Sequence, residues 1–194
     1  MKELIFASAN RHKLEEVGKI LDTSKYQLKN LEDVGIYEDI VEDGSTLEEN
    51  ALIKARYVYN RLSSNVFSED TGLEVKALGG DPGVYTARYG GPQKDADDNM
   101  ALLLKNLEGK DDRSAQFRAV VALIIDGKEV LFEGIVKGRI ALKKSGHEGF
   151  GYDPIFIPEG YDKSFAELPD SIKLGMSHRT RAVKKMFEFL ENYQ

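Results

Sequence analysis

The sequence contains no cysteine. That excludes a disulfide scaffold, a cysteine-ligated zinc, an iron–sulfur cluster and a thiol nucleophile together. Histidine is scarce as well: His12, His147 and His178 are the only three, and their spacing fits no HExxH-type zinc motif. A metal site here has to be built mainly from carboxylates, which suits Mg²⁺ or Mn²⁺. No apolar run approaches the roughly 20 residues of a membrane span. The N-terminus enters a short apolar segment at once, without a leader-like hydrophobic stretch or cleavage site, so a cytoplasmic protein is expected. Excess positive charge is also missing: 27 Lys and Arg stand against 33 Asp and Glu, a net charge of −6. Such a chain binds polyanions poorly, so neither nucleic acid nor a membrane is an expected partner.

What is present is an ordinary globular composition, 41% hydrophobic and 31% charged over 194 residues. The length favours one domain, 1–194, with one lobe or two, over two independent ones, and a core that needs no staples. A short buried strand is expected over 4–7, and Leu14, Val17 and Leu21 recur at helical spacing after it. Ser45-x-x-Glu48 reads as a capping box opening a second helix, whose apolar stripe is Leu47, Ala51, Ala55, Val58 and Leu62. Strands are expected over 65–68 and 73–78, and a third helix over 95–107. Asp126-Gly127 between 117–125 and 129–142 is a strong hairpin signal. A last helix begins after Ser177 and carries Val183, Met186, Phe187 and Leu190 on one face. This order predicts an α/β fold with a mixed sheet.

Several polar residues interrupt these patterns. Lys54 lies only about 60° from the centre of the second helix's apolar stripe. It either snorkels along the rim or reaches an anion in a cleft. Arg179 lies within about 30° of the centre of the last helix's stripe. With Ser177 as N-cap, either an anion bound at the helix start or a tolerated surface position explains it. Ser8-Ala9-Asn10-Arg11-His12-Lys13 joins the first strand to the first helix, a junction that offers N–H groups to a phosphate. It lacks the glycines of a Walker A loop, and a plain N-cap is the alternative. Ser68-Glu69-Asp70-Thr71-Gly72 places two adjacent acids at a strand end; only one of them is expected to enter a given site. Glu42 or Asp43 would supply a partner ligand, and turn chemistry closed by Gly72 is the plainer reading. In Gly149-Phe150-Gly151-Tyr152-Asp153-Pro154, two aromatics in a glycine-rich turn suit stacking on a planar base or packing in the core. Asp95-x-Asp97-x-Asn99 fails as a calcium loop because Met100 stands where glycine is needed. Gly149-x-Gly151 fails as a dinucleotide fingerprint because Pro154 follows.

Taken together these segments resemble the inosine/xanthosine triphosphate pyrophosphatase family. The matching motifs are Ser8-Ala9-Asn10-x-x-Lys13, Glu48-Glu49-Asn50-Ala51-x-x-Lys54-Ala55, Glu69-Asp70-Thr71-Gly72-Leu73, Gly79-Gly80-x-Pro82-Gly83-x-Tyr85-x-Ala87-Arg88, Gly149 to Pro154, Ser164-Phe165-Ala166-Glu167 and Ser177-His178-Arg179. They occur in the family's order across nearly the whole chain. Ser8 stands where the family often has threonine, and Glu69-Asp70-Thr71 replaces its commoner Asp-Asp-Ser.

The resemblance implies an elongated two-lobed α/β fold with a central mixed β-sheet flanked by helices, an active-site cleft between the lobes, and a homodimer. It implies Mg²⁺-dependent hydrolysis of the purine nucleoside triphosphates ITP, dITP and XTP to monophosphate and pyrophosphate, with Mn²⁺ as a possible substitute. On that basis Ser8, Asn10 and Lys13 would hold the triphosphate with the first helix's N–H groups, Ala9, Arg11, His12 and Thr71 would also bind substrate, and Glu42 and Asp70 would hold the metal. Asp70 would also accept the proton of the attacking water, and Lys54 would neutralise charge at the phosphoryl oxygens. Phe150, Gly151 and Tyr152 would frame the base, and Asp153, Lys173, His178 and Arg179 would read it and the ribose. A non-catalytic nucleotide sensor would need the same cradle without hydrolysis. A metal-dependent nuclease fits the acidic composition poorly.

Overall fold

The computed structural model describes residues 2–193. The strands and helices, in chain order, are β1 (Lys2–Phe6), α1 (Arg11–Ile20), β2 (Tyr26–Lys29), α2 (Leu47–Leu62), β3 (Val66–Val75), α3 (Ala96–Asn106), β4 (Ser114–Ile125), β5 (Lys128–Ile140), β6 (Phe156–Pro158), α4 (Asp170–Met176) and α5 (His178–Asn192). One six-stranded sheet has the order β2-β1-β3-β4-β5-β6. β1 pairs in parallel with β2 and with β3, whereas β5 and β6 are antiparallel, so the sheet is mixed as expected.

The hairpin between β4 and β5 turns on Asp126 and Gly127, both at positive φ (49° and 77°). That is the type I′ geometry whose twist matches the flanking strands. The second helix is capped one residue later than its sequence suggested. Thr46 is the N-cap and accepts from the Glu49 N–H (3.1 Å), while the Glu49 carboxylate accepts from the Ser45 N–H (2.6 Å) and hydroxyl (2.8 Å). Both registers present a hydroxyl followed three residues on by glutamate, and the Thr46–Glu49 register is the one adopted.

Four elements differ from expectation. The short strands β2 and β6 match no expected strand, and the short helix α4 before α5 matches no expected helix. The acidic stretch read as a turn between two strands is instead the middle of one continuous strand, β3. Its polar residues are tolerated there because they are paired.

The chain forms two compact units. The first comprises the residues up to Asp70, Ala119–Gly134 and those from Arg179 onward. Its core gathers Leu4, Phe6, Val17, Phe67, Val121, Leu123, Val183 and Met186, with the Phe6 and Phe67 rings stacked at 4.5 Å. The second unit comprises Thr71–Arg118 and Ile135–His178. Leu73, Leu103, Phe117, Val136, Ile155, Phe156 and Phe165 fill its core. No helix among the described residues is long and apolar enough to cross a membrane.

Candidate active site

In the first unit, the end of β1, the start of α1, the middle of β3 and one face of α2 each contribute polar side chains. Lys54 points inward from α2. Its ammonium donates to the Glu69 carbonyl (2.8 Å) and sits 2.7 Å from Glu42 Oε1 and 3.8 Å from Asp70 Oδ1. The Lys54 side chain is only 11% exposed, so it does not snorkel to solvent. Lys13, in the first turn of α1, reaches the same Glu69 carbonyl at 3.4 Å. Asn10 caps α1 by accepting from the Lys13 N–H (3.2 Å), and Ser8 Oγ accepts from the Asn10 N–H (3.2 Å). Ser8 is buried, while Ala9, Asn10, Arg11 and His12 are exposed, and Arg11 pairs with Glu15 at 3.3 Å.

Alternation along β3 separates the two adjacent acids. Glu69 is wholly buried and accepts two bonds from the Arg179 guanidinium, at 2.7 and 3.2 Å. Glu16 of α1, also buried, binds Arg179 from another side. Arg179 was expected either to attract an external anion at the start of α5 or to sit on the surface. The surface reading fails: Arg179 is 1% exposed and is paired with the protein's own Glu69 and Glu16. Glu16 carried no sequence signal, because a glutamate beside Glu15 on a short helix reads as a solvated face.

Asp70 turns instead toward Lys54 and Glu42. Burial pushes its carboxyl above the usual aspartate range; Lys54 and Lys13 oppose the shift, and Glu42 and Glu69 reinforce it. Burial likewise pulls the Lys13 ammonium down, against the pull of Glu69. The Arg179 guanidinium loses hydration on burial, but Glu69 and Glu16 more than compensate and hold it charged.

Among the described residues, no group of three or more His, Asp or Glu is placed to hold a metal ion. Glu42 and Asp70 nevertheless flank one cationic position, taken here by the Lys54 ammonium. Two hard carboxylates of this kind fit Mg²⁺, which commonly keeps its waters and completes its shell with substrate phosphates.

The second unit holds another cluster. Gly149 and Gly151 both have positive φ, 74° and 61°. A Cβ on Gly149 would lie 2.1 Å from Asp153 Oδ2, so this turn requires glycine. That same oxygen accepts from the Phe150 N–H (2.9 Å) and from the Lys173 ammonium (2.7 Å). Lys173 also lies 4.6 Å from the centre of the Phe150 ring. Asp153 and Lys173 are buried and Phe150 is half-buried. Tyr152 is packed into the core, its hydroxyl donating to the Thr86 carbonyl (2.7 Å) and shifted upward by burial. The ring left at the surface of the turn is Phe150. His178 is buried and stacks on Phe117 at 4.8 Å, and Thr71 is half-buried within β3.

The fold and the first cluster define a class: mixed α/β proteins with an acid–lysine constellation on a strand beside a helix start. A model of the Ham1 family matches residues 4–189, and the chain belongs to that family. A dITP/XTP pyrophosphatase of Flavobacterium johnsoniae is 50% identical over 188 residues, covering 97% of each chain. The dITP/XTP pyrophosphatase of Bacillus subtilis is 45% identical over 194 residues, covering 98% of each. Among solved structures, the Ham1 protein of Staphylococcus aureus superposes with a TM-score of 0.91 at 39% identity, over 100% of both chains. A nucleoside-triphosphatase / dITP/XTP pyrophosphatase of Mycobacterium abscessus gives 0.78 at 41% identity, covering 95% of this chain and 98% of that one.

Proposed function

We propose that this chain hydrolyses the non-standard purine nucleotides ITP, dITP and XTP to monophosphate and pyrophosphate, keeping them out of DNA and RNA precursor pools. The observation that carries the reading is Asp70, a carboxylate raised by burial and set beside Lys54 and Glu42. Relatives of nearly equal length named dITP/XTP pyrophosphatase support it.

The hydrolysis breaks the bridging P–O bond between the α- and β-phosphoryl groups and adds one water. Asp70 takes the proton of that water as its oxygen bonds to phosphorus; a raised pKa makes it a better acceptor near neutral pH. Lys54 stabilises negative charge growing on the phosphoryl oxygens. Ser8, Asn10, Lys13 and the N–H groups at the start of α1 hold the phosphates, with Ala9, Arg11, His12 and Thr71 beside them. When bound, Mg²⁺ or Mn²⁺ on Glu42 and Asp70 neutralises phosphate charge.

Phe150 supplies a ring face to the purine, across the backbone of Gly151, and Tyr152 sets the turn from the core. Lys173, oriented by Asp153, donates to the 6-oxo group of hypoxanthine or xanthine. Adenine presents an amino donor there, leaving two donors opposed. His178 lies with this base-reading group. Arg179, engaged by Glu69 and Glu16, holds the strand behind Asp70. We place the enzyme in the cytoplasm as a homodimer, each chain acting as one domain.

The test is Asp70→Asn. It should retain the circular dichroism and melting temperature of the parent while losing about 100- to 10,000-fold in kcat on ITP. Undiminished kcat would remove Asp70 from the chemistry.

A further inference from the structure

Residues 35–46, between the 3₁₀ turn at Glu32–Val34 and α2, form neither helix nor strand, yet they carry Glu42. Apolar burial holds this stretch at Ile36, which is 4% exposed, and in part at Ile40, but not beyond. Tyr37 is 80% and Val41 72% exposed, and residues 39 and 43 are exposed too. Around Glu42 the ties are polar. After Glu42, the Gly44 N–H donates to Asn50 Oδ1 at 2.8 Å, and a Cβ on Gly44 would meet that oxygen at 2.7 Å. Before Glu42, Glu38 accepts from the Tyr57 hydroxyl at 2.5 Å and from the Arg61 guanidinium. Arg61 in turn lies over the Tyr57 ring, 4.5 Å from its centre.

Lys54, Tyr57 and Arg61 occupy positions i, i+3 and i+7 of α2, which is one helix face. That face therefore receives the stretch twice, Glu42 on Lys54 and Glu38 on Tyr57 and Arg61. We infer that Glu38, clamped by Tyr57 and Arg61, is a positioning residue that holds Glu42 at the cation-binding carboxylate pair. The inference rests on the proposed role of Glu42 and extends it to residues that touch neither metal nor nucleotide. The Tyr57 hydroxyl, more than any other contact, holds the Glu38 carboxyl down to about 2, so the clamp stays ionised throughout the working pH range.

The clamp is half-exposed and contributes little to global stability. Its effect falls on how often the stretch presents Glu42. The experiment uses the full chain with Glu38→Gln and Tyr57→Phe. The control is Glu129→Gln, which breaks the similarly exposed Arg56–Glu129 pair of the same helix. Mn²⁺ binding is titrated directly without nucleotide, and amide hydrogen exchange is followed over 39–44. Both clamp variants should weaken Mn²⁺ binding about 3- to 10-fold and speed exchange in the stretch. The control should do neither. On ITP the clamp variants should raise the Mg²⁺ concentration for half-maximal rate by a similar factor, with kcat restored at saturating Mg²⁺. Unchanged Mn²⁺ affinity and exchange in both clamp variants would overturn the inference, as would a parent protein that binds no Mn²⁺. A parent that binds Mn²⁺ and shows the clamp effects but cleaves no nucleotide would instead overturn the pyrophosphatase reading alone.

Discussion

At the scale of single residues, charge inside the fold is matched almost atom by atom. Lys54 is the case on which the proposed function leans most. A lysine so close to an apolar stripe costs desolvation, which is offset only if anions meet it. Here it meets the Glu69 carbonyl, Glu42 and Asp70. Lys54→Ala should therefore lose about 100- to 1,000-fold in kcat on ITP. Lys128→Ala, which removes an amine lying 5.5 Å from the Tyr193 ring, should stay within about twofold, as most surface substitutions do. Equal effects in the two variants would deny Lys54 a role in the chemistry. Gly149 makes the complementary case in backbone terms. Gly149→Ala forces a side chain into left-handed backbone and against Asp153, so a loss of about 1–3 kcal/mol in stability is expected, read by urea denaturation. Because Asp153 orients Lys173, KM for ITP should rise with it.

At the scale of elements, the start of α2 ties the loop bearing Glu42 to the helix bearing Lys54. Thr46→Ala removes the N-cap oxygen and should cost about 1 kcal/mol. Glu49 is held below the usual glutamate range, first by the Ser45 N–H and then by the Ser45 hydroxyl. A carboxylate depressed in the folded state stabilises fully above its unfolded pKa, near 4.5, and that contribution disappears as pH falls through the folded value. The melting temperature of Glu49→Gln should accordingly lie below that of the parent at pH 7, and the gap should close on acidification. A gap that persists at the lowest pH would contradict the assignment.

The elements also show where the sequence is legible. α2 and the β4–β5 hairpin are strongly periodic or carry a specific turn signal, so local chemistry suffices to read them. β2 is four residues long with one buried side chain, too short for any pattern. β3 hides in plain view: Glu69, Asp70 and Thr71 resemble a turn until Arg179, from a helix more than a hundred residues away, neutralises Glu69. The family motifs marked Lys54, Asp70 and the 149–154 turn without that knowledge. What they left open was which way each side chain faces, and that depends on partners distant in sequence.

At the scale of the whole molecule, the residues proposed to handle phosphate fall in the first unit, and those proposed to read the base fall in the second, which Thr71 opens. Each set is supported by its own core. Changes in one set should then separate kinetically from changes in the other. Lys173→Ala should relax the preference for ITP over ATP, while Lys54→Ala should slow both substrates alike; a selectivity unchanged in Lys173→Ala would dismiss that lysine as the reader of the base.

The central claim joins one bond to one kind of base. Its most direct test incubates the purified chain with ITP, XTP, dITP, ATP and GTP plus Mg²⁺ and separates the products. The account predicts monophosphate and intact pyrophosphate from ITP, XTP and dITP, with little turnover of ATP or GTP. Release of orthophosphate and diphosphate, or equal turnover of ATP, would contradict it.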